Sequence, residues 1–174
     1  MNLRKSILTA LLLAIGFILH QIVPGTLGSM KFDLMLSFIF VSLLINNNFK
    51  NAILTALLGG IITALTTTFP GGQIPNLIDK LITCVILFFL IKFLSKIKLN
   101  NFSVGVISFI GTIISGTVFL LSALLIVGLP VPFKVLFIGI VLPTSITNTF
   151  ITIIIYKAVL TALKLSGIKI AAEN

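Results

Sequence analysis

Charge is scarce in this sequence. Of its 174 residues only 9% are charged, and three of those are acids. A water-soluble domain carries roughly 25% charged residues, so this chain has too few to cover its own surface. The scarcity extends to the side chains that do chemistry. One histidine cannot build a zinc site, and one cysteine, Cys84, can form no internal disulfide. Cys84 lies inside an apolar run and reads as a small packing residue. There is no GxxxxGK[ST] phosphate loop, no HExxH and no pair of acids on one helix face. An intramembrane protease or transferase would have almost no equipment here. These absences argue against catalysis, a metal site and direct binding of ATP through a phosphate loop, and no cofactor is expected.

What is present is apolar length. Hydrophobic residues make up 58% of the chain. A helix needs about 20 residues to cross roughly 30 Å of hydrocarbon. Six runs qualify or nearly do: Ser6–Val23, Phe32–Asn46, Ala52–Phe69, Leu77–Leu94, Val104–Val127 and Val135–Leu163. The expected fold class is an all-α integral membrane protein, a six-helix transmembrane bundle forming a single domain over residues 1–174. The second run is short, which implies a tilted helix or one that reaches only part of the way across. The first run begins like a secretory signal, but no small-x-small cleavage site follows it, so it is read as a retained helix.

The net charge of +9 raises the question of nucleic acid, and the positions of the charges answer it. With the N-terminus in the cytoplasm, Arg4, Lys5, Lys50, Lys92, Lys96, Lys98, Lys157, Lys164 and Lys169 fall inside, whereas Lys31, Lys80 and Lys134 fall outside. Nine basic residues in against three out follows the positive-inside rule. The base excess reports orientation and contact with anionic membrane lipid, not nucleic acid. Both termini are expected in the cytoplasm, the protein being multi-pass in a cell membrane. Tyr156 falls near the inner interface, where amphipathic rings collect.

On this layout the polar side chains gather toward the outside. His20 and Gln21 end the first helix, Asp33 opens the second, and Thr66, Thr67 and Thr68 end the third. Thr144, Ser145, Thr147 and Asn148 follow Pro143 in the sixth. The inner half is nearly bare of hydrogen-bonding side chains other than hydroxyls, and Glu173 lies in the tail. Polar lining at one end suits a pocket open to the outside better than a pore. The stretch "TFPGGQIPNLIDK" from Thr68 to Lys80 breaks the apolar pattern. Pro70-Gly71-Gly72 and Ile74-Pro75 read as turns, and the whole stretch as a lid over the mouth.

Each polar group also has a structural reading. Asn76 followed by Asp79 fits a helix N-cap with an acid in the first turn. Asp33 fits a pair with Lys31 or a place in headgroup water, and His20 an interface residue. Membrane-depth threonines bond back to their own helix. Asn148 needs partners at its depth, either protein or ligand, and the Pro143 kink beside it frees carbonyls. Small residues recur at spacing four: Ser6, Ala10 and Ala14 in the first helix, Ala52, Ala56, Gly60 and Ala64 in the third. Such stripes allow close helix packing. The third-helix stripe reads as packing inside the bundle; the first leaves both an internal and a partner-facing role open.

The stretches "LTALLLAIGFILHQIVPG" (Leu8–Gly25), "GSMKFDLMLSFIF" (Gly28–Phe40) and "FPGGQIPN" (Phe69–Asn76) resemble the TrpP family of bacterial tryptophan transport proteins. The wider architecture resembles the substrate-binding S components of energy-coupling factor (ECF) transporters. This resemblance implies L-tryptophan as cargo, a bacterial cell membrane as location, and as partners an ECF transmembrane coupling subunit with two ATPase subunits. It also implies that an AxxxA pattern, matched by Ala10 and Ala14, meets the coupling subunit, and that the bundle tilts to hand its cargo over. A zwitterionic amino acid needs an anion for its ammonium, with Asp33 and Asp79 as candidates. Its carboxylate needs donors, from Lys31, Lys80 or the helix start near Asn76. An indole needs an apolar slot, for which Phe32, Phe69 and Phe119 lie at suitable depth, and an acceptor, which Asn148 could supply. Gln73 lies in the lid above them. The rival readings are an S component for another small molecule such as a vitamin, and a non-transporting scaffold resembling six-span cell-shape proteins.

Overall fold

A computed structural model describes residues 3–94 and 100–165. Lys96, Lys98, Lys169 and Glu173 of the charge layout, with most of the basic segment before Asn100, lie outside the described residues. Six long helices and no strand occur among the described residues. They are α1 (Leu3–Ile22), α2 (Met35–Ile45), α3 (Phe49–Leu65), α4 (Gln73–Leu94), α5 (Asn101–Ile126) and α6 (Phe133–Leu165). Each lies where an apolar run was expected, and this is an all-α membrane bundle. Three helices, α1, α5 and α6, are long and apolar enough to cross a membrane.

The centre of the bundle is α2. All eleven of its residues are buried, and it packs against each of the other five helices. A helix apolar all round must be covered all round, and MLSFIFVSLLI leaves no polar face to show. At 1.5 Å per residue it is about 16 Å long, so it reaches only part of the way across a bilayer. Around it, α3 and α4 pack most closely. The Ala52, Ala56, Gly60 and Ala64 stripe is buried inside the bundle, as its spacing suggested. A Cβ on Gly60 would come within 3.1 Å of Leu77. Lipid supplies no hydrophobic drive between helices, so such close approach is what holds them together.

Short connections leave consecutive helices antiparallel, which gives the bundle two ends. One carries the α1–α2, α3–α4 and α5–α6 connections. There Thr68 Oγ1 donates to the Ser29 carbonyl at 2.6 Å, and Phe69 meets Phe119 edge to face, ring centres 5.3 Å apart. At the other end Asn48 caps α3 by accepting from Lys50 N. Below that cap, Thr9, Ser42 and Asn51 form a buried hydrogen-bonded set joining α1, α2 and α3. The amide of Asn51 is therefore an exception to the expected hydroxyl-only lining of that half. Tyr156, expected near the inner interface, is 4% exposed and packs in the main core.

Candidate functional site

The segment expected to form a thirteen-residue lid is only half loop. The turn Phe69–Gly72 closes with Gly72 N–H donating to the Phe69 carbonyl, and Gly71 sits at φ 68. Proline second and a positive-φ glycine third is what a type II turn requires. From Gln73 on, the chain is helical. Pro75 is its third residue, where a missing N–H costs nothing because first-turn amides have no helical acceptor anyway. Asn76 accordingly is not an N-cap. It lies inside α4, and its Nδ2 donates back to the Gly72 carbonyl at 2.8 Å. Asp79 and Lys80 follow on the inward face of the next turn, each 1% exposed.

This early start of α4 places an ion-pair network inside the bundle. Lys80 Nζ donates to Asp33 Oδ2 at 2.6 Å and also bonds to Asp79 Oδ2. Thr83, one turn further along α4, donates to Asp79 Oδ1 at 2.9 Å. Both Asp79 oxygens are thus engaged. Asp33 is held at the head of α2 in the α1–α2 connection, near the positive end of that helix. Burial works against its carboxylate, but Lys80 and His20 beside it together outweigh that and hold the carboxyl well below the usual range. Its other oxygen, Oδ1, stands 3.3 Å from His20 Nδ1. Neither of these two atoms has a hydrogen-bond partner.

Lys31, a candidate partner for Asp33, goes elsewhere. Its Nζ donates to the His20 carbonyl at 3.1 Å and the Thr66 carbonyl at 2.8 Å. These are acceptors left over at the C-terminal ends of α1 and α3, so one ammonium satisfies two helix ends at once. Burial lowers the Lys31 ammonium from its ordinary range, and Asp33 partly restores it.

Against these charges lies a cavity that is open at its mouth. His20, Lys31, Asp33, Asn76 and Asp79 supply its polar wall, and Phe69, Phe119, Ile140 and Val141 much of its apolar one. Phe32, Gln73, Lys80 and Asn148 do not line it. Gln73 is exposed and Phe32 half-buried, while Lys80 sits behind the two carboxylates. Asn148 is fully used by the protein. Its Oδ1 accepts from Ser37 at 3.1 Å, and its Nδ2 donates to the Asp33 carbonyl at 3.0 Å and to Thr112 Oγ1 at 3.3 Å. It fastens α6 and α5 to the head of α2.

The α6 wall owes its shape to Pro143. Residues Phe137–Val141 form one π-helical turn, in which Leu142 N–H reaches back to the Phe137 carbonyl. Proline has no N–H and crowds the carbonyl four residues back, and a widened turn relieves that. Beside it, the carbonyl of Ile140 accepts from Thr144 Oγ1 at 2.6 Å. Sequence reasoning did not find the α5 wall, Thr112, Ser115 and Gly116. Its signal was available: Ser108, Thr112, Ser115 and Phe119 fall at spacings of four, three and four, on one helix face. The alanines of the AxxxA pattern face out of the bundle, both Ala10 and Ala14 being exposed.

Comparison with known proteins agrees with the family suggested by the sequence. The family described as "Tryptophan transporter TrpP" matches residues 2–164. A "Probable tryptophan transport protein" of Clostridium acetobutylicum is 46% identical, the match covering 91% of this chain and 93% of that one. Its namesake in Bacillus subtilis is 44% identical over 99% of this chain and 100% of its own. A third, from Clostridium perfringens, is 40% identical over 91% of this chain and 92% of that one. No solved structure gives a significant match.

Proposed function

The chain belongs to the TrpP tryptophan-transporter family, and from that premise we infer that it captures L-tryptophan on the outer side of a bacterial cell membrane for delivery inward. It acts as the substrate-binding subunit of an ATP-driven assembly, with both of its own termini in the cytoplasm. One observation carries the reading: the cavity presents one carboxylate oxygen without a hydrogen-bond partner, Asp33 Oδ1, within the same walls as the Phe69–Phe119 pair. The oxygen accepts the α-ammonium, and the aromatic pair receives the indole ring. Asp79 serves by holding Lys80, its own oxygens being taken. Lys31 has three N–H groups and gives two to carbonyls, which leaves one for the cargo carboxylate. Thr68 bonded to Ser29 closes the α3–α4 turn over the mouth.

The resemblance to S components implies partner subunits for delivery, and the lack of a phosphate loop fits that. The outward-facing Ala10 and Ala14 offer a coupling subunit a smooth place to pack. The test combines binding and uptake. Purified protein binds tryptophan, and Asp33→Asn weakens binding by about 10- to 100-fold, the loss of one hydrogen bond to a charged group. Radiolabelled tryptophan enters cells only when candidate coupling and ATPase subunits are co-expressed. Ala10→Leu with Ala14→Leu stops uptake and leaves binding intact. Binding of a vitamin but not tryptophan, or uptake by this chain alone, overturns the corresponding half of the reading.

A further inference from the structure

His20 is the one cavity group that this account leaves without a task. It is 4% exposed, and its Nδ1 faces Asp33 Oδ1 across 3.3 Å with no hydrogen bond between them or to anything else. A carboxylate oxygen only accepts, and an imidazole nitrogen without its proton only accepts. Two such atoms at this separation repel unless a donor joins them, and in the empty site that donor is a proton on the ring's own Nδ1. No other side chain donates to either atom. From α4, Lys80 is committed to Asp33 Oδ2 and to Asp79. From the α1–α2 connection, Lys31 gives two of its N–H groups to the carbonyls of His20 and Thr66, and the third is bonded to neither atom. Among the described residues lining the cavity, α5 brings only the hydroxyls of Thr112 and Ser115, α6 that of Thr144, and none of these helices a titratable group.

We propose that His20 Nδ1 and Asp33 Oδ1 together accept the ammonium group of the cargo, and that a proton on His20 competes with the cargo for this pair. The proposal rests on the reading above that the cargo is an amino acid. An ammonium carries three N–H donors and can serve both atoms at once. A protonated imidazole instead donates its own N–H to Asp33 Oδ1 and fills the same place. The two occupants exclude each other, so capture of cargo expels one proton from a protonated site. Toward acid, affinity for tryptophan falls by up to about tenfold for each pH unit, the limit for one linked proton.

The experiment uses the full chain in detergent or nanodiscs. The protein contains no tryptophan of its own, so the fluorescence of bound cargo is read directly. Dissociation constants are measured from about pH 5.5 to 8 for the wild type and for His20→Gln, with indole-3-propionate, which lacks the ammonium, as a second ligand. The wild type weakens toward acid; His20→Gln binds about tenfold more weakly than the wild type at pH 8 and is flat across the range. Indole-3-propionate, read in the wild type alone, does not weaken toward acid, which keeps the test valid if His20→Gln fails to fold. Tryptophan affinity that is flat or rises toward acid overturns the proposal and leaves the tryptophan reading standing. So does a slope that persists in His20→Gln, or acid weakening of indole-3-propionate as steep as that of tryptophan. Absence of tryptophan binding at every pH overturns both.

Discussion

Lys80 separates two carboxylates that would otherwise be buried together. Replacing it with methionine leaves Asp33 and Asp79 facing each other without a cation. Removing one partner of a buried ion pair costs about 3–5 kcal/mol, so Lys80→Met lowers the unfolding temperature in detergent sharply, and a double variant with Asp79→Asn recovers part of the loss. A Lys80→Met protein as stable as the wild type would remove the network from the account of stability. Lys31→Met leaves two helix-end carbonyls without their shared donor and is expected to cost about 1–3 kcal/mol, measured in the same melt. The ionisable residues stood out in the sequence because so few occur, and an acid at membrane depth needs a partner. Their pairing did not stand out. Asp33 meets a lysine 47 positions further along, and nothing in local spacing encodes that. Asn148 was legible as a buried amide in need of partners, while the identity of those partners depended on three helices meeting.

At the scale of the element, apolar run length located all six helices, because a membrane helix must hide its own backbone polar groups and so declares itself in hydropathy. The start of α4 escaped that logic. Ile74-Pro75 has the composition of a turn, yet a proline in a first turn is compatible with helix, and only the packing of Leu77 against Gly60 decides between them. The π-turn in α6 was legible as a kink at Pro143 but not in its form. It brings Val141 against α5 so closely that a Cβ on Gly116 would lie 2.5 Å from Val141 Cγ1. Gly116→Ala therefore destabilises the bundle by about 1–3 kcal/mol. Adding Val141→Ala restores much of that stability, because the obstruction is side chain and not backbone. A Gly116→Ala melt unchanged from wild type would mean that α5 and α6 are looser there than described.

For the whole molecule, the distribution of basic residues predicts an orientation, and it can be checked directly. Cys84 is fully buried, so the wild type is silent to a membrane-impermeant maleimide. Lys134→Cys, at the cavity end, should label in intact cells, and Lys50→Cys, at the opposite end, only after the membrane is opened; both positions are exposed. The reverse pattern would turn the binding site toward the cytoplasm and end the capture mechanism. Then there is the short helix wrapped by the other five. Because α2 occupies the axis, with the charged cluster seated on its top, the place where a channel would run is corked. A solute received at the head of that cork can leave at its foot only if the surrounding helices part sideways or the entire bundle rolls in the bilayer. Small local gating, of the kind that opens a preformed tunnel, would have to get past a helix buried along its whole length.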